Sequence, residues 1–181
     1  DRTQQIQLTI IDRRKNERQR EMKVLTKKFE GDETRTILFF LSPVEVRGVG
    51  LLQWSVPHQE DTQWFQLPEQ QPRRISGSSK RDSFVGTDFS FEDLTIWADV
   101  LDWTEEDAHA TLLRNESLQG QDCAVIEMVP SGVGVSYQKI RLWLGSKDQV
   151  IHRMEFDERD KTVKTLDLTD VRPVRDIPVA H

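Results

Sequence analysis

The stretch KIRLWLGSKDQVIHRMEFD (residues 139–157) alternates apolar and polar residues on both sides of a short turn at residues 145–148. A period of two is typical of β-strands with one buried face, and a tight turn between two such strands predicts a hairpin. One face of this hairpin is apolar except for His152, and the other face is charged. The apolar residues are Ile140, Leu142, Leu144, Val150, Met154 and Phe156.

The same pattern extends outward along the chain. It predicts about eleven antiparallel strands in one sheet, joined by short polar turns. Helical spacing of Phe91, Leu94 and Leu101 interrupts this series, and Ser90 with Asp93 predicts a helix cap. The predicted strands cover residues 3–12, 18–29, 34–41, 49–56, 63–67, 73–76, 110–116, 123–129, 135–144, 149–157 and 162–172.

Strands in the second half have one wholly apolar face, which needs a cover. Ala124, Ile126 and Met128 extend the apolar face, whereas Glu127, Lys139 and Arg141 point the other way. A sheet of this kind buries its apolar side against another layer. One helical segment is a small cover for so many strands, so we expect a further segment, a ligand or a partner to complete it.

Composition excludes several classes of protein. The chain has 181 residues, of which 36% are hydrophobic, and this is enough for a core without disulfide bonds. The longest apolar run, residues 37–41, is far shorter than the ~20 residues of a membrane-spanning helix. One cysteine excludes a disulfide framework and a cysteine-based zinc site, and a net charge of −6 argues against nucleic-acid binding.

Acidic residues near the predicted helix allow three interpretations. Asp82, Asp88, Glu92 and Asp93 have ligand atoms suited to a hard cation, and Asp88 with Glu92 is a candidate acid–base pair. Their spacing does not fit a calcium-binding loop, and helix capping with salt bridges to nearby arginines explains them better. We therefore expect no metal, no cofactor and no catalytic residue.

Other polar features have two interpretations each. Residues 73–81 hold four cations and no acid, so they would either receive phosphate or anionic lipid headgroups or pair with the acidic segment that follows. Gly132 and Gly134 favour a hairpin turn over a phosphate cradle. We interpret His152 as part of a cavity wall rather than as a ligand or base. Most of the five tryptophans are expected in the core, with some lining a pocket.

Several motifs in a fixed order carry a family resemblance. The sequence DSFVGTDFSFEDL (residues 82–94) follows four shorter motifs and is the most specific of them. Together they strongly resemble the bacterial outer-membrane lipoprotein-sorting protein family, a branch of the LolA/LolB-like superfamily, over nearly the whole chain. The shorter motifs are Ser42-Pro43, Val46-Arg47-Gly48, Gln63-Trp64 with Leu67-Pro68, and Arg73-Arg74-Ile75-Ser76.

The resemblance implies a mainly β fold with short helices (α+β). It is a LolA-like unclosed antiparallel β-barrel of about eleven strands, with a helical lid over a hydrophobic cavity. Residues 1–181 would form a single lipid- or lipoprotein-binding domain. Family members carry a signal peptide and a helix ahead of the first strand, and they continue beyond the equivalent of His181. We therefore expect this chain to lack an N-terminal lid helix and a C-terminal tail.

The resemblance also implies a function. It predicts a non-enzymatic periplasmic carrier, secreted across the inner membrane, that binds acyl chains of lipids or lipoproteins and moves them between envelope membranes. Its expected partners are these acyl chains and an RND-type membrane transporter. Contact with membranes is expected to be peripheral or transient, and nucleic acid is not an expected partner. The alternative is a periplasmic lipid-sensing adaptor or regulatory protein of the same fold.

Two groups of site residues follow from the apolar face and the resemblance. The first group is expected to line the hydrophobic cavity, and the second to order the lid and its contacts. The cavity group is Phe39, Trp54, Phe84, Ile126, Met128, Leu142, Met154 and Phe156. The lid group is Arg47, Arg73, Arg74, Asp82, Asp88, Phe89, Glu92 and Asp93.

Overall fold

A computed structural model describes residues 2–11, 14–57, 59–101, 103–131, 135–174 and 177–179. The chain divides into two compact units, residues 1–100 and residues 101–181. Each unit is built around one antiparallel sheet. Within the described part of the chain, no helix has the length and apolar character needed to cross a membrane.

The first unit contains a six-stranded sheet, sheet 1, whose strands pair in sequence order. A 3-10 turn at Glu30–Asp32 separates the second and third strands, another covers Gly77–Arg81, and helix α1 spans Phe91–Asp99. The strands are β1 (Arg2–Ile11), β2 (Glu17–Lys28), β3 (Thr34–Ser42), β4 (Gly50–Ser55), β5 (Thr62–Gln66) and β6 (Arg73–Ile75).

The second unit contains a five-stranded sheet, sheet 2, which also pairs consecutive strands. A separate two-stranded pair follows it, formed by β12 (Arg172–Val174) and β13 (Ile177–Val179). The strands of sheet 2 are β7 (Ala108–Leu118), β8 (Gln121–Pro130), β9 (Lys139–Gly145), β10 (Ile151–Glu158) and β11 (Lys161–Asp167).

The expectation of a mainly β, antiparallel, unclosed fold with about eleven strands is confirmed, because the two sheets together contain eleven. Two details differ. The predicted strand over residues 162–172 ends at Asp167, and Asp170 takes a positive φ of 56° that extended strands do not adopt. The strands also form two sheets, with β6 and β7 at their edges, rather than one sheet with an insertion.

Sheet 1 has apolar side chains on both faces. Its core face is made by residues that alternate along the strands and pair across them, such as Met22 with Phe40 and Leu51 with Phe65. Its second face carries the intervening residues. The buried core cluster is Met22, Val24, Leu38, Phe40, Val49, Leu51, Phe65, Ile75, Phe84 and Phe91. The large apolar residues of the second face are Leu25, Ile37, Phe39, Leu52, Trp54 and Trp64.

The two faces of sheet 2 differ in the number of charged residues that they carry. Its apolar face carries every second residue of β8, β9 and β10, and the register places these residues side by side. The opposite, charged face carries the acids and bases of the same strands. The apolar face comprises Ala124, Ile126, Met128, Ile140, Leu142, Leu144, Met154 and Phe156. The charged face comprises Glu127, Lys139, Arg141, Arg153, Glu155 and Asp157, around a small cluster of Cys123, Val125 and Trp143.

Candidate functional site

Residues 82–90, here the signature loop, fold back on themselves before α1. The backbone N–H of Phe84 donates to the carbonyl of Phe89 at 2.7 Å. The hydroxyl of Thr87 donates to the carbonyl of Phe84 at 2.8 Å, and the hydroxyl of Ser83 donates to the carbonyl of Thr87 at 2.6 Å. Val85 and Gly86 at the tip have positive φ angles of 52° and 70°. These bonds give the loop a fixed shape and explain why the run is specific in sequence.

The signature loop inserts Phe84 into the core face of sheet 1. Its ring stacks on Phe40 at a centroid distance of 5.6 Å and meets Phe65 and Phe91 edge-on at 6.4 and 5.5 Å. Phe84 is 2% exposed. Aromatic groups in such edge and offset arrangements add stability beyond the area they bury. Phe84 is therefore a core residue of the first unit.

Helix α1 begins with a complete capping box, as predicted. The hydroxyl of Ser90 accepts from the backbone N–H of Asp93 at 3.2 Å, and the Asp93 carboxylate accepts from the N–H of Ser90 at 2.6 Å. A buried amide on β5 also binds the N-terminal half of the helix, because Nε2 of Gln63 donates to the carbonyl of Phe91 at 2.8 Å and to the hydroxyl of Thr95 at 2.9 Å. The capping interpretation of Asp93 is thus confirmed.

The three lid arginines contact sheet 1. Nε of Arg47 donates to the carbonyl of Leu41 at 3.0 Å, and Nη2 of Arg74 donates to the hydroxyl of Thr62 at 3.4 Å. The guanidinium of Arg73 lies 5.5 Å from the centre of the Phe65 ring. These contacts are with residues of β3 and β5, whereas we expected contacts with residues 82–94.

The remaining lid residues differ in exposure. Asp82 and Asp88 are exposed, whereas Glu92 and Asp93 are 4% and 3% exposed. Phe89 stacks on Trp97 at 6.0 Å. Among the described residues, no three His, Cys, Asp or Glu side chains come together as a metal site would require.

The structure brings five of the predicted cavity residues together on the apolar face of sheet 2. Met154 pairs with Leu142, Leu142 with Ile126, and Phe156 with Ile140, so adjacent strands present their side chains side by side. Met154, Leu142, Phe156 and Met128 are 0%, 3%, 3% and 7% exposed. Tyr137 extends the surface, with its ring 4.9 Å from that of Phe156. This is a continuous apolar surface across three strands.

The other three predicted cavity residues lie in the first unit and do not share a face. Phe84 packs on the core face of sheet 1, whereas Phe39 and Trp54 lie on its second face, offset by one residue from Phe40 and Gln53. A shift of one position along a strand reverses the side to which a side chain points. The sequence contains apolar residues at both parities in β3, so alternation alone did not distinguish the two faces.

The charged face of sheet 2 is a set of cross-strand ion pairs. Arg141 contacts Glu155 at 3.0 Å and Asp157 at 2.9 Å, and Lys139 contacts Glu127 at 3.3 Å. Beneath them, burial raises the pKa of the Cys123 thiol, which keeps the thiol protonated near neutral pH. This face therefore offers paired charges and an unreactive cysteine.

His152 occupies a β-bulge between Ile151 and Arg153 rather than a regular position on the apolar face. Its Nε2 is 3.0 Å from Oδ2 of Asp148, and Oδ1 of Asp148 accepts from the backbone N–H of Val150 at 3.1 Å. A pocket of about 270 Å³ adjoins this pair, lined by Leu118, Gln119, Gln121, His152, Leu168, Thr169, Asp170 and Val171. His152 thus fixes a turn and forms part of a pocket wall.

Arg20 is a residue that the sequence analysis missed. It lies on β2 in the same parity as Met22, and its guanidinium carbon is 5.6 Å from the centre of the Phe40 ring. Nη1 is buried without a hydrogen-bond partner among the described residues, and burial, followed by the nearby Arg18, lowers the pKa of Arg20. A cation at a core-face position is the sequence signal that would have identified it. Such a group is suited to contact an anion.

Some sequence interpretations fall outside the described residues. These include the proposed turn at Gly132 and Gly134, together with His58 and His181. The expectation for the tryptophans was wrong in part, because Trp54, Trp64 and Trp97 are 37%, 38% and 42% exposed. Trp143 is buried, at 3% exposed.

Comparisons with known proteins point to one fold and one family. A family model with the description "-like: Uncharacterized protein" matches residues 32–181. A DUF1329 family protein from Desulfovibrio piger is 30% identical, covers 95% of this chain and 72% of its own, and superposes with a TM-score of 0.85. No curated protein matches the sequence.

Two further solved structures are similar over nearly the whole chain. A domain from Vibrio parahaemolyticus, assigned to outer membrane lipoprotein sorting, has 26% identity and a TM-score of 0.87. It covers 99% of this chain and 74% of its own. A LolA superfamily protein from Nitrosomonas europaea has 22% identity and a TM-score of 0.68, covering 96% of this chain and 71% of its own. The second likeness supports the fold alone.

Proposed function

This chain belongs to the DUF1329 family and has a LolA-like fold, and from that premise we propose that it is a non-enzymatic carrier of acyl chains. The cargo would be the acyl chains of lipids or lipoproteins. The likeness to a domain assigned to outer membrane lipoprotein sorting supports this cargo class. The same likeness favours a periplasmic location and transport between envelope membranes. An RND-type exporter is the partner we expect to receive or supply the cargo.

The apolar face of sheet 2 is the observation that carries the proposal. The central residues of three adjacent strands present apolar side chains on this face, and the acids and bases that alternate with them lie on the other side. Met128, Leu142, Met154 and Phe156 belong to it, and none is more than 7% exposed, so cargo would bind there only when the groups that cover these side chains move aside. Linear hydrocarbon binds to such a surface without any directional contact, because the hydrophobic effect depends on buried area.

The energetics suit a carrier that releases its cargo. Each buried methylene contributes roughly 0.8 kcal/mol, so a chain of about fourteen carbons gains on the order of 10 kcal/mol before costs. Lost translational freedom and the ordering of the chain offset much of this gain. The remaining affinity needs no catalytic group, and transfer to another apolar surface is enough for release.

Binding of a fluorescent fatty acid tests the apolar face. Met128→Glu or Leu142→Glu should abolish binding, because each places a carboxylate among buried apolar groups. Val129→Glu is the matched control, since Val129 is adjacent on β8 but 39% exposed, and it should bind normally. Because a buried glutamate also threatens folding, Met128→Ala is the second variant, with an intermediate loss of affinity. Unchanged binding by both Met128 variants would exclude this surface.

Identification of the natural cargo separates a carrier from an adaptor. The protein should be purified from its native envelope without detergent, and its bound lipids identified by mass spectrometry. A defined lipid or acylated peptide at near one per protein is the expected result for a carrier. An empty protein that retains affinity for a partner protein would instead support the adaptor or regulatory function.

A further inference from the structure

The second face of sheet 1 is apolar, aromatic and open. Cross-strand pairing sets Leu25, Ile37, Leu52 and Trp64 in one continuous row, and Trp54 lies beside it on β4. Ile37, Trp54 and Trp64 are 42%, 37% and 38% exposed. The core of the first unit does not need these side chains, because the core face already buries its own cluster around Phe84 and Phe91. Exposed apolar groups that adjoin one another mark an interaction site.

Cations border this apolar row. Lys23 pairs with Phe39 across the strands, Lys27 with Arg35, and Arg74 with Trp64, so all four cations lie on the second face. The guanidinium of Arg35 lies 4.3 Å from the centre of the Trp54 ring.

Acids on this side of the sheet are few and are set apart. Glu21 and Glu17 share the parity of Lys23 but pair with Gln7 and Ile11, further towards the β1–β2 hairpin. Glu33, which immediately precedes β3, accepts a hydrogen bond from Nε of Arg35 at 2.7 Å. Lys23, Lys27 and Arg74 therefore leave an excess of positive charge beside the tryptophans, in a protein whose net charge is −6.

Tryptophan, aliphatic and basic side chains together match one kind of partner. Tryptophan rings favour the boundary between headgroups and acyl chains, and basic side chains bury their stems while their charges reach phosphate. An anionic membrane attracts basic residues of a protein that lie near the membrane surface. It repels the parts of the protein surface that carry net negative charge. The charge pattern therefore favours an orientation in which the second face of sheet 1 is turned towards such a membrane.

We infer that the second face of sheet 1 binds the surface of an anionic phospholipid bilayer. Trp54, Trp64 and Ile37 enter the boundary between headgroups and acyl chains, while Lys23 and Arg74 contact headgroup phosphates. This surface is made by residues of the first unit, whereas the apolar face of sheet 2 is made by residues of the second unit. The inference concerns where the protein docks, and it stands whether or not the carrier function does.

Co-sedimentation of the full chain with lipid vesicles tests the inference. Vesicles would contain phosphatidylcholine alone or with about 30% phosphatidylglycerol. Binding is expected only to the anionic vesicles at about 50 mM salt, with a loss of about tenfold or more at about 500 mM. Fatty-acid binding, measured in parallel, reports on the carrier function separately.

Two variants and one control assign the binding to this face. Lys23→Gln/Arg74→Gln should weaken it by about fivefold for each cation removed. Trp54→Ser/Trp64→Ser should weaken it further without altering the circular dichroism spectrum, because both rings are more than one-third exposed. Lys147→Gln/Lys161→Gln removes the same charge from exposed positions of the second unit and should bind like the wild type.

Three results would overturn the inference. One is equal binding to neutral and anionic vesicles, and another is a Lys23/Arg74 variant that binds as well as the Lys147/Lys161 control. The third is a dimer, seen by analytical ultracentrifugation without vesicle binding, that the Trp54/Trp64 variant abolishes. That result would assign this face to a second copy of the chain. If the tryptophan variant unfolds, the charge variant and its control decide the question.

Discussion

The two sheets differ in how they distribute apolar and polar side chains between their faces. Sheet 2 divides its residues between an apolar face and a face of paired charges, such as Arg141 with Glu155 and Asp157. Sheet 1 is apolar on both faces, and it buries two glutamines, Gln53 and Gln63, within its core face. Alternation therefore reports the buried side of sheet 2 directly. In sheet 1 alternation does not identify the buried side, because both faces are apolar. The exposed apolar residues of the second face therefore indicate a binding surface.

The sheets also differ in what their cores are made of. The core of sheet 1 depends on Phe84 and Phe91, which follow β6 and come from the signature loop and from the start of α1. The apolar face of sheet 2 is built by side chains of its own strands. A local change in the signature loop should therefore disturb the first unit more than a comparable change on an exposed surface.

Phe84→Ala should cause the largest loss of stability. It removes a ring that is 2% exposed and that contacts three other aromatic rings, and such truncations cost about 3–5 kcal/mol. Urea denaturation of the full chain, followed by circular dichroism, measures the free energy of unfolding. Phe29→Ala is the matched control, because Phe29 is 38% exposed and its loss should cost less than about 1 kcal/mol. Similar losses for both variants would refute the role of the aromatic cluster.

Much of the fold could be predicted from the sequence because its signals are local. Alternation located the eleven sheet strands, and Ser90 with Asp93 marked the start of α1, since both depend only on neighbouring residues. The second face of sheet 1 could not be assigned in the same way. Leu38, Phe39 and Phe40 are consecutive and apolar, so which of them is buried depends on Phe84, which lies far along the chain.

The candidate site shows the same limit. Ile126, Met128, Leu142, Met154 and Phe156 were grouped correctly on one face because their strands alternate regularly. His152 was not, because a bulge breaks the period at that point. Bulges insert one residue into one strand, and they depend on turn geometry that periodicity does not contain.

Gly145→Ala should test how tightly the β9–β10 turn is built. A methyl group at Gly145 would lie 2.8 Å from Nε2 of His152 and 3.0 Å from Cγ of Asp148, so the hydrogen-bonded pair would have to move. Overpacking of this kind costs about 1–3 kcal/mol in the free energy of unfolding. In an Asp148→Ala background the same substitution should cost less, because part of the obstruction is gone. Equal costs in both backgrounds would show that the pair does not require the glycine.

Gln63→Met should have a smaller effect on the free energy of unfolding, and it tests the buried polar part of the core of sheet 1. The substitution removes two hydrogen bonds to the N-terminal half of α1, at Phe91 and Thr95. It also removes the buried Oε1 of Gln63, which has no partner among the described residues. The two changes partly offset each other, so we expect a net loss of about 1 kcal/mol. Thermal unfolding compared with Gln66→Met, an exposed position on the same strand, provides the measurement. A loss as large as that for Phe84→Ala would mean that the amide, and not the rings, holds α1.

Titration of Glu116 should have the smallest effect on stability, and it tests the charged face of sheet 2 alone. Its carboxylate accepts from Arg114 at 2.6 Å and from the indole of Trp143 at 2.5 Å, and these two bonds, the first being the larger cause, lower the pKa of Glu116 below its usual 4.5. A carboxylate with a lowered pKa stabilises the folded state above the unfolded value, and this contribution is lost as pH falls through the folded value. The indole N–H signal of Trp143, followed by NMR, should therefore shift with a midpoint below 4.5. Arg114→Ala should raise that midpoint, whereas Lys161→Ala, at the exposed start of β11, should not. A midpoint at or above 4.5 in the wild type would mean that the hydrogen bonds from Arg114 and Trp143 do not lower the pKa of this carboxylate.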